Sequence, residues 1–125
     1  MLDLLDKLAT ILETELDLFT IIVTGNLLPE SSIALVPMPS SRGATYYRGK
    51  RERNGLFQVL TKNKNQVLTS ETLENICDFL EESEINIEGY SISNIEVYSE
   101  PHYIDGDRQS GWTYSAAIAV TYTKE

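Results

Sequence analysis

The sequence predicts an α+β fold: two amphipathic helices packed on an antiparallel or mixed sheet, in the order α-β-β-β-α-β-β, ending in a long hairpin. Three observations carry this expectation. Two stretches, 2–19 and 70–83, repeat their apolar residues at helical spacing. The last third of the chain alternates with a period of two. Between the helices lie short β-branched or aliphatic runs bounded by Gly or Pro.

In the first helix, Leu2, Leu4, Leu5, Leu8, Ile11, Leu12, Leu16 and Phe19 fall within an arc of about 180°, interrupted only by Glu15. Such a stripe suits a deeply set core helix, or one also covered by a neighbouring subunit. Strand-like runs follow at 19–25, at 33–37 and at 56–62, the last one after the turn signal Asn54-Gly55. Residues 38–49 read mostly as a loop, with room for a short strand at Tyr46-Tyr47.

The second helix takes Thr69 or Ser70 as N-cap, with Glu71 and Glu74 in its early turns, where the helix dipole favours acids. Leu73, Ile76, Cys77, Phe79 and Leu80 share one face. Glu71, Glu74, Asp78, Glu81 and Glu82 share the other, either as a solvated surface or as partners for a basic segment. Strands at 91–100 and 112–123 then form the hairpin, joined by a polar loop at 101–111.

A length of 125 residues fits one domain, 1–125, large enough for its own core. The single cysteine excludes an internal disulfide framework. The acidic, amphipathic start does not read as a signal or transit peptide, and no apolar run approaches the ~20 residues that span a bilayer. No membrane partner is expected.

The formal charge of −9 is strongly segregated. Residues 1–41 hold one base and six acids, residues 42–64 seven bases and one acid, and residues 65–125 two bases and twelve acids. The segment charges are therefore −5, +6 and −10. A generic nucleic-acid binder is disfavoured, because most of the chain repels phosphate. Segregation of this kind suits self-association or a local contact.

Catalytic chemistry finds no support. Neither phosphate-cradling glycine motif is present. His102 and Cys77 are too few for a zinc site, and Cys77 lies on the apolar helix face, where a structural thiol is expected. Asp105-Gly106-Asp107 lacks the rest of a calcium loop and reads as a turn. The expectation is a protein that is not an enzyme, with no cofactor and no metal. The basic segment remains. Tyr46, Tyr47, Arg48, Lys50, Arg51 and Arg53 mix aromatics with cations, which suits a solvated loop, a protein interface or a nucleic-acid contact. As an interface it would complement Glu74, Asp78 and Glu81.

One resemblance spans essentially the whole chain. The run Leu60-Thr61-Lys62-Asn63-Lys64-Asn65 ahead of a helix is similar to a segment of the tail terminator, or tail-to-head joining (minor capsid), proteins of long-tailed non-contractile phages. So are Ile95-Glu96-Val97-Tyr98-Ser99-Glu100-Pro101-His102-Tyr103-Ile104, Gly111-Trp112-Thr113-Tyr114 and the final alternating strand. The resemblance implies a homo-hexameric ring that caps the tail tube, stops its polymerisation and joins the head connector. The implied partners are the major tail tube protein and the connector (stopper) protein, with DNA only passing through. The implied location is the virion, with assembly in the host cytoplasm. It implies no cofactor and no individual functional residues. Another neck protein, of the head-completion or stopper type, and a small DNA-binding module using residues 42–53 are the alternative expectations.

Overall fold

The structure, a computed structural model, describes residues 2–25, 31–39, 45–47 and 50–124, the side chains at 45–47, 50 and 51 excepted. Its elements are α1 (Leu2–Glu15), β1 (Ile22–Thr24), β2 (Ser32–Met38), β3 (Thr45–Tyr47), β4 (Lys50–Asn63), α2 (Gln66–Glu82), β5 (Tyr90–Asp107) and β6 (Gly111–Lys124). This is the expected α+β class, with a terminal hairpin. It has one strand beyond the expected order, because the short run around Tyr46-Tyr47 pairs with β4. The sheet is mixed. Its path is β1-β2-β4-β6-β5, with β3 also against β4; β1 and β2 run parallel and the other pairs antiparallel.

Central strand β6 is paired on both sides. Its alternation sends Ala116, Ile118, Val120 and Tyr122 toward the helices, where all four are buried. In register beside them stand Val59 opposite Ala116 and Phe57 opposite Ile118, then Leu35 opposite Val59 and Ile33 opposite Thr61. Leu4, Leu5, Leu8 and Leu12 of α1 and Leu73, Ile76 and Leu80 of α2 close one continuous core over this face. The opposite face carries Ala34, Gln58, Ser115 and Ala117, and Gln58 Nε2 donates to Ser115 Oγ at 2.9 Å.

Several element boundaries differ from expectation, each for a local reason. Helix α1 stops at Glu15 instead of residue 19; Leu16, Leu18 and Phe19 still pack on the core, but from non-helical backbone. Glu13 Oε1 then accepts the Ile22 backbone N–H at 3.4 Å, joining the end of α1 to a strand of only three residues. Helix α2 starts four residues early because Asn65 is the N-cap, its side chain accepting the Leu68 N–H at 3.1 Å. Thr69, expected at the cap, is instead buried in the first turns, and its carbonyl accepts the Thr61 hydroxyl at 3.0 Å.

The Asn54-Gly55 pair is not a turn. It lies within β4, opposite Thr121 and Val120, because β4 is already paired with β3 from Lys50 onward. The polar stretch 101–111 is not a loop either: β5 continues to Asp107 and the reversal takes only residues 108–110. Asp107 Oδ1 closes that turn by accepting from Gln109 N, Ser110 N and Ser110 Oγ. Pro101 is tolerated because β5 is an edge strand and its register with β6 shifts between Ser99 and His102.

The start of β5 is latched to α1. Tyr90 donates its hydroxyl to Asp3 Oδ2 at 2.8 Å, and Lys7 donates to the Glu88 carbonyl at 2.9 Å while pairing with Asp3 at 3.6 Å. The Tyr90 hydroxyl, and then Lys7, hold the Asp3 carboxyl below its ordinary range; the same bond raises the Tyr90 phenol. The lowered acid stabilises the fold above its unfolded titration and loses that effect as pH falls through the folded value. The raised phenol stabilises below its unfolded titration and loses that effect as pH rises through the folded value. Urea midpoints of wild type and Asp3→Asn are therefore expected to differ most between about pH 4 and pH 10 and to converge outside that range.

Gly106 and Gly25 both have positive φ, +140° and +108°. A Cβ at Gly106 would meet the Gly111 carbonyl oxygen and lie 2.6 Å from Trp112 Cα, whereas one at Gly25 meets nothing within 4 Å. Gly25→Ala is expected to cost about 1–2 kcal/mol from backbone conformation alone. Gly106→Ala should cost more, as measured by denaturant unfolding.

Candidate interface surfaces

Helix α2 sets its apolar face into the core and leaves Glu71, Glu74, Asp78, Glu81 and Glu82 exposed, as its periodicity predicts. Three of these acids line a cleft of about 320 Å³ between the helix and the edge strand: Glu74, Asp78 and Glu81, joined by Cys77, Glu100 and Pro101. Glu100 comes from β5, and nothing in the sequence marks it. Its position beside α2 depends on the register shifts of β5, which reset which side chains face the helix. Glu81 has a structural bond as well, since its Oε2 accepts the Val97 backbone N–H at 3.2 Å.

Beneath these acids lies the Cys77 thiol, 3% exposed. Its pKa is pushed up to about 12, first by burial and then by the negative charges of Glu100, Asp78, Glu81 and Glu74. The thiol is therefore a protonated core group. His102 is exposed on β5, with Nδ1 2.9 Å from the Glu100 carbonyl oxygen. Among the described residues, no group of three or more His, Cys, Asp and Glu is placed to hold a metal ion. Nor, among them, is any helix long and apolar enough to cross a membrane.

The basic candidates sit elsewhere. Lys50, Arg51 and Arg53 belong to the first turns of the β4 ladder, and Tyr46 and Tyr47 to β3; the Arg53 side chain is exposed. Arg48 lies outside the described residues. Across the sheet the order is β3, β4, β6, β5, so β3 and β5 are three strand spacings apart, roughly 14 Å. By backbone position, the described basic candidates are thus separated from the acidic ones within one chain. Among the described residues, the ion pair present is Lys7–Asp3, and neither Glu74, Asp78 nor Glu100 has a cationic partner.

A third surface escaped sequence reasoning. At the tip of the hairpin, Tyr103 packs on Trp112 and Tyr114, with ring centroids 6.1 and 5.8 Å apart. Tyr114 accepts a 2.9 Å hydrogen bond from Gln66 Nε2 at the start of α2. Next to these, Val67 is 64% and Ile104 47% exposed. The alternation of β6 predicts that Trp112 and Tyr114 share a face, but not that the helix would stop short of covering them.

The Cys77 environment gives a direct check. At pH 8 a thiol with a pKa near 12 is expected to react with a disulfide reagent at least about a hundredfold more slowly in the folded chain than in urea. Stopped-flow absorbance measures both rates. Compared with known proteins, this chain matches no family model and no curated sequence.

Proposed function

We propose that this protein is a virion structural protein, a tail terminator whose six copies form a ring. That ring would cap the tail tube, stop its polymerisation and join the tail to the head connector. The observation that carries this reading is the separation of opposite charges onto different parts of one sheet. The acidic cleft lies beside β5, whereas Lys50, Arg51 and Arg53 lie at the start of β4, next to β3. A cyclic assembly larger than a dimer needs two unlike patches that meet around the circle. A chain with complementary patches that cannot reach each other internally meets that requirement.

Two further features agree with it. The resemblance to tail terminators extends along the chain, and the α+β fold is of the kind that the resemblance implies. Copies joined side by side leave the strand ends free. There, Val67, Tyr103 and Ile104 offer an apolar contact of the kind that marks interaction surfaces, here for the tail tube protein. Six copies at −9 each give a strongly acidic ring, which discourages DNA from adhering as it passes. The ring would reside at the tail-head junction after assembly in the host cytoplasm.

The test combines mass with activity on tubes. Light scattering and negative-stain microscopy are expected to find rings of six, either free or at the ends of tail tubes. Adding the protein to polymerising tube subunits should arrest elongation. A strict monomer that neither binds nor arrests tubes would overturn the reading. Duplex DNA retention that falls steeply with salt would favour the DNA-binding alternative.

A further inference from the structure

A strand at the end of a sheet carries outward backbone groups that a strand of another copy can take, fusing the two sheets. We propose that the Glu81 carboxylate closes the outer edge of β5 to the β5 strand of a second copy, by occupying the Val97 backbone N–H. The inference goes beyond the ring reading and does not depend on it.

Along an antiparallel strand, successive residues turn their N–H and C=O groups alternately toward the partner strand and away from it. Val97 stands opposite Ile118, yet its N–H donates to Glu81 Oε2 at 3.2 Å. That N–H is therefore turned away from β6, toward the edge where an added strand would lie. Glu81 sits on the exposed face of α2, outside the core, so the bond is not a by-product of its burial. An ionised acceptor holds an amide more strongly than a neutral one, and an incoming strand has to displace it.

The bond also falls where it matters most. The register of β5 with β6 shifts between Ile92 and Asn94, Val97 and Ser99, Ser99 and His102, and Tyr103 and Asp105. These shifts cut the strand into short regular runs, of which residues 94–97 are the longest. Irregularities interrupt the row of edge groups that an added strand needs, and Pro101 has no N–H to offer. The longest run is then the best template left, and alternation turns Ile95 and Val97 outward within it. Glu81 takes one of those two donors. In the preceding run, residues 90–92, the Tyr90 N–H is already taken by the Ile87 carbonyl at 3.1 Å.

The far end of the sheet repeats the device. There β1 is the last strand, and its Ile22 N–H donates to Glu13 Oε1 of α1. Each end strand thus gives an N–H to a glutamate of the helix beside it. Copies that meet at β5 are left to do so through side chains.

The experiment compares the full wild-type chain with Glu81→Ala and Glu81→Gln. Alanine removes the acceptor and favours the helix, and circular dichroism checks folding. If alanine fails to fold, Glu81→Lys, which also lacks an acceptor, takes its place. Hydrogen exchange at the Val97 amide is read by NMR from micromolar to millimolar protein, with light scattering alongside. In wild type the protection of this amide is expected to be the same at every concentration. In Glu81→Ala it should exchange about tenfold faster in dilute solution, then regain protection as concentration and mass rise together. Glu81→Gln keeps an amide oxygen that accepts and should behave as wild type.

The proposal is overturned if Val97 of the folded alanine variant exchanges as in wild type, or faster but with no response to concentration. It is equally overturned if Glu81→Gln pairs as readily as Glu81→Ala, or if wild-type Val97 gains protection with concentration. The ring reading fails separately, through a wild type that stays monomeric with and without tail tubes, and that result leaves the Val97 comparison intact.

Discussion

Strand β6 pairs with β4 along twelve consecutive positions on one side and with β5 on the other, while one of its faces must be kept from water by helices. That double pairing is the constraint from which the remaining geometry follows. It holds Phe57, Val59, Ile118 and Val120 in one apolar sheet that a single return helix can cover. It leaves β5 with one free edge, so every irregularity of the long hairpin is displaced onto the outer strand, where no third strand has to follow it. The central ladder stays regular because the edge does not.

The distribution of charge is a by-product of the same arrangement. Helix α2 runs back over the sheet against β4, β5 and β6, and its solvent face is acidic because its core face consumes the apolar residues. Lys50, Arg51 and Arg53 stand at the beginning of β4, where the ladder extends past the part of β4 that β2 covers, and Lys62 stands at its other end. Cys77 records the field on the acidic side. Its thiol is shielded from water by packing and further held protonated by carboxylates that it never touches through a hydrogen bond.

Much of this was legible before any coordinates, and the failures have physical causes. The period of two from Trp112 to Thr123 specifies β6 and its buried face directly, because alternation is a property of the strand itself. The faces of α2 were equally readable from spacing. Its start was not, since Asn65 stands in a polar run where any of several side chains can cap, and the choice depends on Thr69 being buried against Thr61. Asn54-Gly55 and Pro101 misled for a common reason. Local turn and breaker preferences are worth about a kilocalorie each, and a ladder paired to β6 outweighs them. Glu100 could not be found at all, because its place beside α2 is fixed by slips in register that no pattern in the chain announces. The segregation of charge was countable; its placement on separated strands was not.

The parallel pairing of β1 with β2 has a consequence for the order in which the molecule is made. Residues 2–38 emerge from the ribosome before anything they pair with outside their own segment, since β2 is hydrogen-bonded to β4 and α1 is latched to Tyr90 and Glu88. The span from Lys50 to Lys124, by contrast, holds β4, α2, β5 and β6, each in contact with others of the same set. Synthesis therefore completes α1, β1 and β2, which contact one another, before the strand and the residues that finish their packing have been made.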